Sequence, residues 1–211
     1  MDAPCSSAPY FSDFVAGRRG EILDAALVVF QEKGYTGGTM RDVAARLGVT
    51  EPALYRHYPG KEALYSDMLG LAGDRVIANA SQRMAAIQPE TLRDSLMALI
   101  AQEPRPGAKA GGMMGTLLAS APHNEALMET FRDHLVRPMV AGFREFVPRV
   151  DSFFGIERSP RELDAAIRVF ASVFVGYFAT SKVLAMPRDD EAIVDAMLRV
   201  MGWIGTQPQA R

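Results

Sequence analysis

Apolar residues recur every three or four positions along most of this chain and almost nowhere at every second one. Between Gly17 and Gly34, the residues Ile22, Leu23, Ala26, Leu27, Val29 and Phe30 share one side of a 3.6-residue period, which predicts an amphipathic helix. Gly34 should end it, with Lys33 beside the last carbonyls. Two short helices are expected next, over 39–47 and 50–58, separated by Gly48-Val49, and a fourth over about 61–84. Pro89, the stretch 103–107 and Pro122 divide the remainder into helices near 90–102, 108–120, 124–148, 160–185 and 189–205. Pro138 should kink or break the third of these. Ser159-Pro160-Arg161-Glu162 combines a serine cap, a first-turn proline and an acid three positions on, a helix-start signal. No long alternating run and no Asn-Gly turn calls for strands, so the chain reads as all-α.

Composition narrows the class. With 48% hydrophobic residues, the 211-residue chain can fill a sizeable core, and its net charge of −2 supplies no general basic field for nucleic acid. Cys5 stands alone, so no internal disulfide framework exists, as suits a reducing cytoplasm. The stretch 169–184 is the most apolar, but Ser172, Thr180, Ser181 and Lys182 interrupt it, and it reads as a buried helix rather than a membrane span. The N-terminus lacks the order of a signal peptide, and the expectation is a soluble, cytoplasmic protein with no membrane partner. Residues 1–16 form an arm without helical period, whose Tyr10, Phe11 and Phe14 should pack loosely on the first helix.

The densest chemistry lies between Thr39 and Lys61. Thr39 can cap the first short helix with Asp42 in capping-box spacing, and Gly48 supplies the positive φ of a tight interhelical turn. Ala44 is small where the two helices would cross. Thr50 can cap the second helix, and Pro52 is tolerated in its first turn. Val43, Leu47, Val49, Leu54 and Tyr58 then face inward onto Ile22, Leu27 and Phe30. The other face offers Thr39, Arg41, Thr50, Tyr55, His57 and Lys61, all able to donate hydrogen bonds to phosphates or base edges. Residues 18–65 hold seven Lys/Arg against six Asp/Glu, a net of +1, so tight binding should require two copies together.

These residues carry a resemblance. The stretch from about Gly17 to Leu64 resembles the DNA-binding domain of the TetR family of repressors. The most specific portion is Val49-Thr50-Glu51-Pro52-Ala53-Leu54-Tyr55-Arg56-His57-Tyr58-Pro59-Gly60-Lys61-Glu62-Ala63-Leu64. Phe30, Gly34-Tyr35 and Thr39 match the pattern that closes the first helix and opens the second. Tyr58 departs from the family's usual phenylalanine. The resemblance implies that Thr39, Tyr55, His57 and Lys61 hold the phosphate backbone of double-stranded operator DNA. It implies that Arg41, Thr50, Glu51, Pro52 and Ala53 face the major groove, where Arg41 could reach a guanine. It divides the chain into the arm, a helix-turn-helix domain at 17–66, and a helical ligand-binding and dimerisation domain at 67–211.

The resemblance further implies a homodimer through the last two helices, which bind a palindromic operator as a pair and let go when a small effector shifts the fourth helix. Phe170, Phe174 and Phe178, spaced by four beside Val173 and Tyr177, make a helix apolar on most of its circumference, which needs cover from more than one side. Pocket candidates by residue type are Met113, Met114, Leu117, Met128, Phe131, Leu135, Phe174 and Phe178, which suit an apolar effector. No nucleophile elbow, His-Glu-x-x-His, dinucleotide fingerprint or paired cysteine ligands occur, so no catalytic residue, metal site or cofactor is expected. The rival reading is a helical ligand-binding or scaffold protein without operator binding.

Overall fold

The computed structural model of the chain describes residues 10–101, 124–178 and 187–204. Nine α-helices account for most of them: α1 (Arg18–Gly37), α2 (Met40–Leu47), α3 (Glu51–Tyr55), α4 (Lys61–Ala86), α5 (Leu92–Ala101), α6 (Glu125–Phe131), α7 (Arg137–Phe154), α8 (Pro160–Phe178) and α9 (Asp190–Met201). A 3₁₀ turn at Pro89–Thr91 leads into α5, and a π turn at Arg132–Val136 joins α6 to α7. No strand occurs among the described residues. Nor is any described helix long and apolar enough to cross a membrane.

The chain forms two compact units. The first gathers the described residues up to Ala72 together with 124–132, and the second those from Gly73 to 101 and from Asp133 onward. In the first unit Ile22, Leu23, Ala26, Leu27 and Phe30 of α1 are all but inaccessible to solvent. They pack with Val43, Ala44, Leu54, Leu64, Tyr65 and Met68. α1 leaves its regular course at Gly34, whose φ of 70° an L side chain rarely adopts.

In the second unit, α7 packs on α8, and α9 packs on both α5 and α8. Phe143, Phe146, Val150, Phe170, Met197 and Trp203 form its centre, with Phe170 edge-on to Phe143 at 5.0 Å. Pro138 disrupts its helix in the form of the π turn: lacking an N–H, it leaves the His134 carbonyl without its helical donor, and the backbone widens before α7 begins. The sequence pattern places the end of this segment at residue 148, yet α7 carries Pro148 inside it and continues to Phe154. Burial of Phe146, Val147 and Val150 on the same face holds the helix through the proline, and Gly155 at φ 68° ends it.

Two polar devices stabilise the second unit. The Arg149 guanidinium donates to the carbonyls of Met84 (2.7 Å), Ala85 (3.1 Å) and Ile87 (3.2 Å), meeting the exposed acceptors and negative dipole end of α4. Asp151, 4% exposed, accepts two hydrogen bonds from Arg158 (2.8 and 3.0 Å) and one from the Trp203 indole N–H (2.8 Å). Arg158 also donates to the Met201 carbonyl, so one buried ion pair joins the ends of α7 and α9 to the start of α8.

Candidate nucleic-acid interface

The helix-turn-helix is built by local rules that the structure follows closely. Thr39 caps α2: its Oγ1 accepts from the Asp42 N–H (3.1 Å), and the Asp42 carboxylate accepts from the Thr39 N–H (3.0 Å). Lys33 and the Thr39 hydroxyl hold the Asp42 carboxyl down at about 2. Gly48, at φ 67°, closes α2 in a Schellman arrangement, with the Val49 N–H reaching the Ala44 carbonyl at 3.0 Å. Ala44 is 2% exposed and packs tightly, in keeping with its small side chain.

α3 is shorter than its pattern suggests, ending at Tyr55 instead of near Tyr58. Tyr58 precedes Pro59, which disfavours helical backbone there. Thr50 occupies the N-cap position and its carbonyl accepts from Ala53 (3.0 Å) and Leu54 (3.3 Å). Its side chain makes no capping bond, contrary to the sequence expectation.

A second set of contacts sets the pose of this element. The Tyr58 hydroxyl donates to Asp67 Oδ2 at 2.5 Å, and Arg19 forks onto the same carboxylate, with its Nε at 2.9 Å. Burial and the adjacent Asp67 carboxylate push the Tyr58 phenol up to about 12, so it stays a donor. The hydroxyl that sets Tyr58 apart from the family pattern therefore has a partner, and it ties the turn after α3 to α1 and α4. Lys61 donates to the carbonyls of Tyr35 (2.8 Å) and Thr36 (3.4 Å) and sits 4.6 Å from the centre of the Tyr35 ring. In this conformation it closes the end of α1.

The arm is more than loosely packed. Phe11 is fully buried, and residues 11–15 form a helical turn through the Val15 N–H and the Phe11 carbonyl (2.7 Å). Asp24 holds it, accepting the N–H groups of Tyr10 and Phe11 (2.7 Å each) and of Ser12 (3.1 Å), as well as the Ser12 hydroxyl. Burial alone would raise the Asp24 carboxyl, but the Ser12 hydroxyl and the three amides reverse this and leave it below the usual range. Gly20 makes room, since a Cβ there would stand 2.2 Å from the Val15 carbonyl oxygen. Nothing in the sequence period of α1 singles out Asp24 for this task.

The side chains expected to meet DNA divide by exposure. Arg41 (85% exposed in its side chain), Thr50, Pro52, Tyr55 (46%) and His57 are exposed, while Glu51 and Ala53 are half-buried. Thr39 is exposed, but its hydroxyl donates to Asp42 at 2.7 Å. Arg41 Nε lies 3.5 Å from Glu51 Oε2, pairing the starts of α2 and α3. Beneath them Leu54 and Tyr58 are buried, as their spacing requires.

Of the apolar pocket candidates, Met113, Met114 and Leu117 lie outside the described residues. Met128 is half-buried and Phe131 packs on the first unit's core. In the second unit Phe174 packs on the core, 6.1 Å from Phe143, Leu135 is half-buried, and Phe178 is the last residue of α8. This unit carries an open groove of about 490 Å³ lined by Pro89, Leu92, Arg93, Phe154, Arg199 and Trp203 among others, and by none of these candidates. No group of three or more potential metal ligands occurs among the described residues.

Residues 22–68 match the family model of bacterial regulatory proteins, tetR family. The chain is 37% identical over 67 residues to the HTH-type transcriptional activator FasR of Mycolicibacterium smegmatis, a match covering 32% of this chain and 31% of that protein. It is 39% identical over 54 residues to the HTH-type transcriptional repressor KstR2 of Rhodococcus jostii, covering 26% of each. These matches thus span less than a third of the relatives' length. Solved structures extend the likeness of fold. The TetR family transcriptional regulator PfmR from Thermus thermophilus aligns over 90% of this chain and 99% of its own, with a TM-score of 0.60 and 21% identity. The transcriptional regulator FadR from Bacillus subtilis, in complex with stearoyl-CoA, aligns over 86% of this chain and 96% of its own, with a TM-score of 0.61 and 15% identity. Residues 22–68 of the chain thus carry a helix-turn-helix of the kind found in bacterial regulatory proteins of the tetR family, set in an all-helical fold shared with these solved structures.

Proposed function

We propose that this chain represses transcription by binding a palindromic operator as a homodimer, and that a small apolar effector releases it. One observation carries the reading: Arg41, Thr50, Tyr55 and His57 stand exposed on α2, α3 and the turns beside them, above a buried and doubly capped helical hairpin. Donors held on rigid elements suit phosphates and base edges. Residues 17–66 serve as the reading head and 67–211 as the ligand-binding and dimerisation region.

Dimerisation through α8 and α9 is supported by Val169 (40% exposed) and Val175 (43%) on α8, and by Val200 (65%) on α9 with Ile204 (49%) just beyond it. These are large apolar side chains on the two helices expected to pair. The repressor KstR2 and the stearoyl-CoA-bound FadR lend support to repression and to a small-molecule effector.

A gel shift with the chain's own upstream intergenic DNA tests the central claim. A specific shift that disappears in the Arg41→Ala, Tyr55→Ala double variant supports it. A shift unaltered by the double variant, or absent at low salt, refutes it in favour of a helical scaffold. Native mass spectrometry of the purified chain should report twice the monomer mass and, where an effector is retained, its added mass.

A further inference from the structure

Arg41 and Glu51 present a donor and an acceptor side by side on the exposed surface of the helix-turn-helix. Arg41 comes from the first turn of α2 and Glu51 from the first residue of α3, and only Nε of the guanidinium faces the carboxylate, at 3.5 Å. The two terminal nitrogens of Arg41 point to no other acceptor among the described residues, and its side chain is 85% exposed. A carboxylate is also an odd neighbour for DNA, because every phosphate it approaches repels it. Its presence on this face therefore calls for a partner that rewards an acceptor.

The major-groove edge of a G·C pair offers one. Guanine displays two acceptors, N7 and O6, and cytosine displays a donor, N4–H. O6 and N4 are joined by the base pair's own hydrogen bond, so they stand only about 2.9 Å apart. A paired guanidinium and carboxylate match that row in order: two donors from Arg41 onto N7 and O6, then one acceptor from Glu51 onto N4. An A·T pair reverses the order, placing the adenine amino donor where Arg41 donates and the thymine O4 acceptor where Glu51 accepts.

We infer that Arg41 and Glu51 act as one reading unit for a single G·C pair in each operator half-site, with guanine under Arg41 and cytosine under Glu51. The inference rests on the proposed operator binding. Glu51 works there chiefly as a specificity residue: it excludes wrong bases and lowers non-specific affinity for phosphate.

The test is selection of a random duplex library by the full-length chain and by Arg41→Ala, Glu51→Ala and Glu51→Gln variants, with sequencing of the bound DNA. The parent should enrich a palindrome with one G·C position per half-site where other pairs are disfavoured on the order of 10- to 100-fold. Arg41→Ala and Glu51→Ala should flatten that same position and leave the others intact, whereas Glu51→Gln keeps an amide oxygen that can accept from N4 and should flatten it less. Glu51→Gln should in addition bind non-specific duplex several-fold more tightly at low salt. If the parent enriches a motif that Glu51→Ala leaves unchanged, or if Arg41→Ala and Glu51→Ala flatten different positions, the shared readout is overturned and operator binding stands. If the parent enriches no motif, operator binding itself falls with it.

Discussion

The segment Tyr10–Val15 is attached to the first unit chiefly through the Asp24 carboxylate and the Phe11 ring, with Val15 and Tyr10 packed beside them, which makes its energetics testable. Asp24→Ala removes the acceptor for three backbone N–H groups and the Ser12 hydroxyl. Hydrogen bonds to a charged group contribute about 1.5–3 kcal/mol each when taken singly. Here they cannot simply be summed, because the segment can peel away and hydrate its amides. The loss is therefore bounded by the cost of undocking the segment altogether. Phe11, with no exposed surface, sets that bound, since Phe→Ala in a packed core costs about 3–5 kcal/mol. Asp24 is only part-buried and solvent screens it, so Asp24→Ala should fall below the bound, at about 2–3 kcal/mol.

Both substitutions release the same segment, so the double variant should lose no more than about 1 kcal/mol beyond Phe11→Ala alone. Urea unfolding followed by circular dichroism measures all three, and hydrogen exchange should find the amides of residues 10–12 unprotected in each. Additive losses in the double variant, or an Asp24→Ala chain as stable as the parent, would refute the reasoning. The pH dependence has a definite sign. Asp24 has a lowered folded pKa, so its contribution is complete above the unfolded carboxyl value of about 3.9 and disappears as pH falls through the folded value. The gap between parent and Asp24→Ala should stay constant from pH 7 to 5 and close in stronger acid.

Other parts of the fold yield sharper single measurements. Asp151→Ala leaves the half-buried Arg158 guanidinium with only the Met201 carbonyl and should cost about 2–4 kcal/mol, with the emission of Trp203, the sole tryptophan, shifting to the red as its N–H loses its partner. Tyr58→Phe restores the family's ring but deletes the bond to Asp67, and urea titration should record a loss of about 1–2 kcal/mol. Gly20→Ala drives a methyl into the Val15 carbonyl and should expel the arm, exposing residues 10–12 to exchange as Asp24→Ala does, with a loss of about 1–3 kcal/mol.

Elements governed by neighbours along the chain are legible in the residue pattern itself. The capping boxes at Thr39/Asp42 and Ser159/Glu162, the left-handed turn at Gly48 and the disruption near Pro138 all appear, because each depends on atoms within about five residues. Helix ends are less secure. α3 stops three residues early and α7 runs six residues past its expected end, because the backbone before Pro59 and the burial around Pro148 fix them.

Period, caps and turn residues act locally and leave few alternatives. They are enough to dictate the all-helical class and the helix-turn-helix. Packing in three dimensions settles which charged groups are engaged and which are open. Asp24 holds an arm 12 to 14 residues away, Lys61 reaches carbonyls 25 and 26 residues back, and Asp151 meets Trp203 across 52 residues. The same packing brings Arg41 beside Glu51, ten residues on. A charged side chain on a helix surface looks alike in sequence whether it faces water or a distant backbone, and only the fold brings the partner within hydrogen-bonding distance.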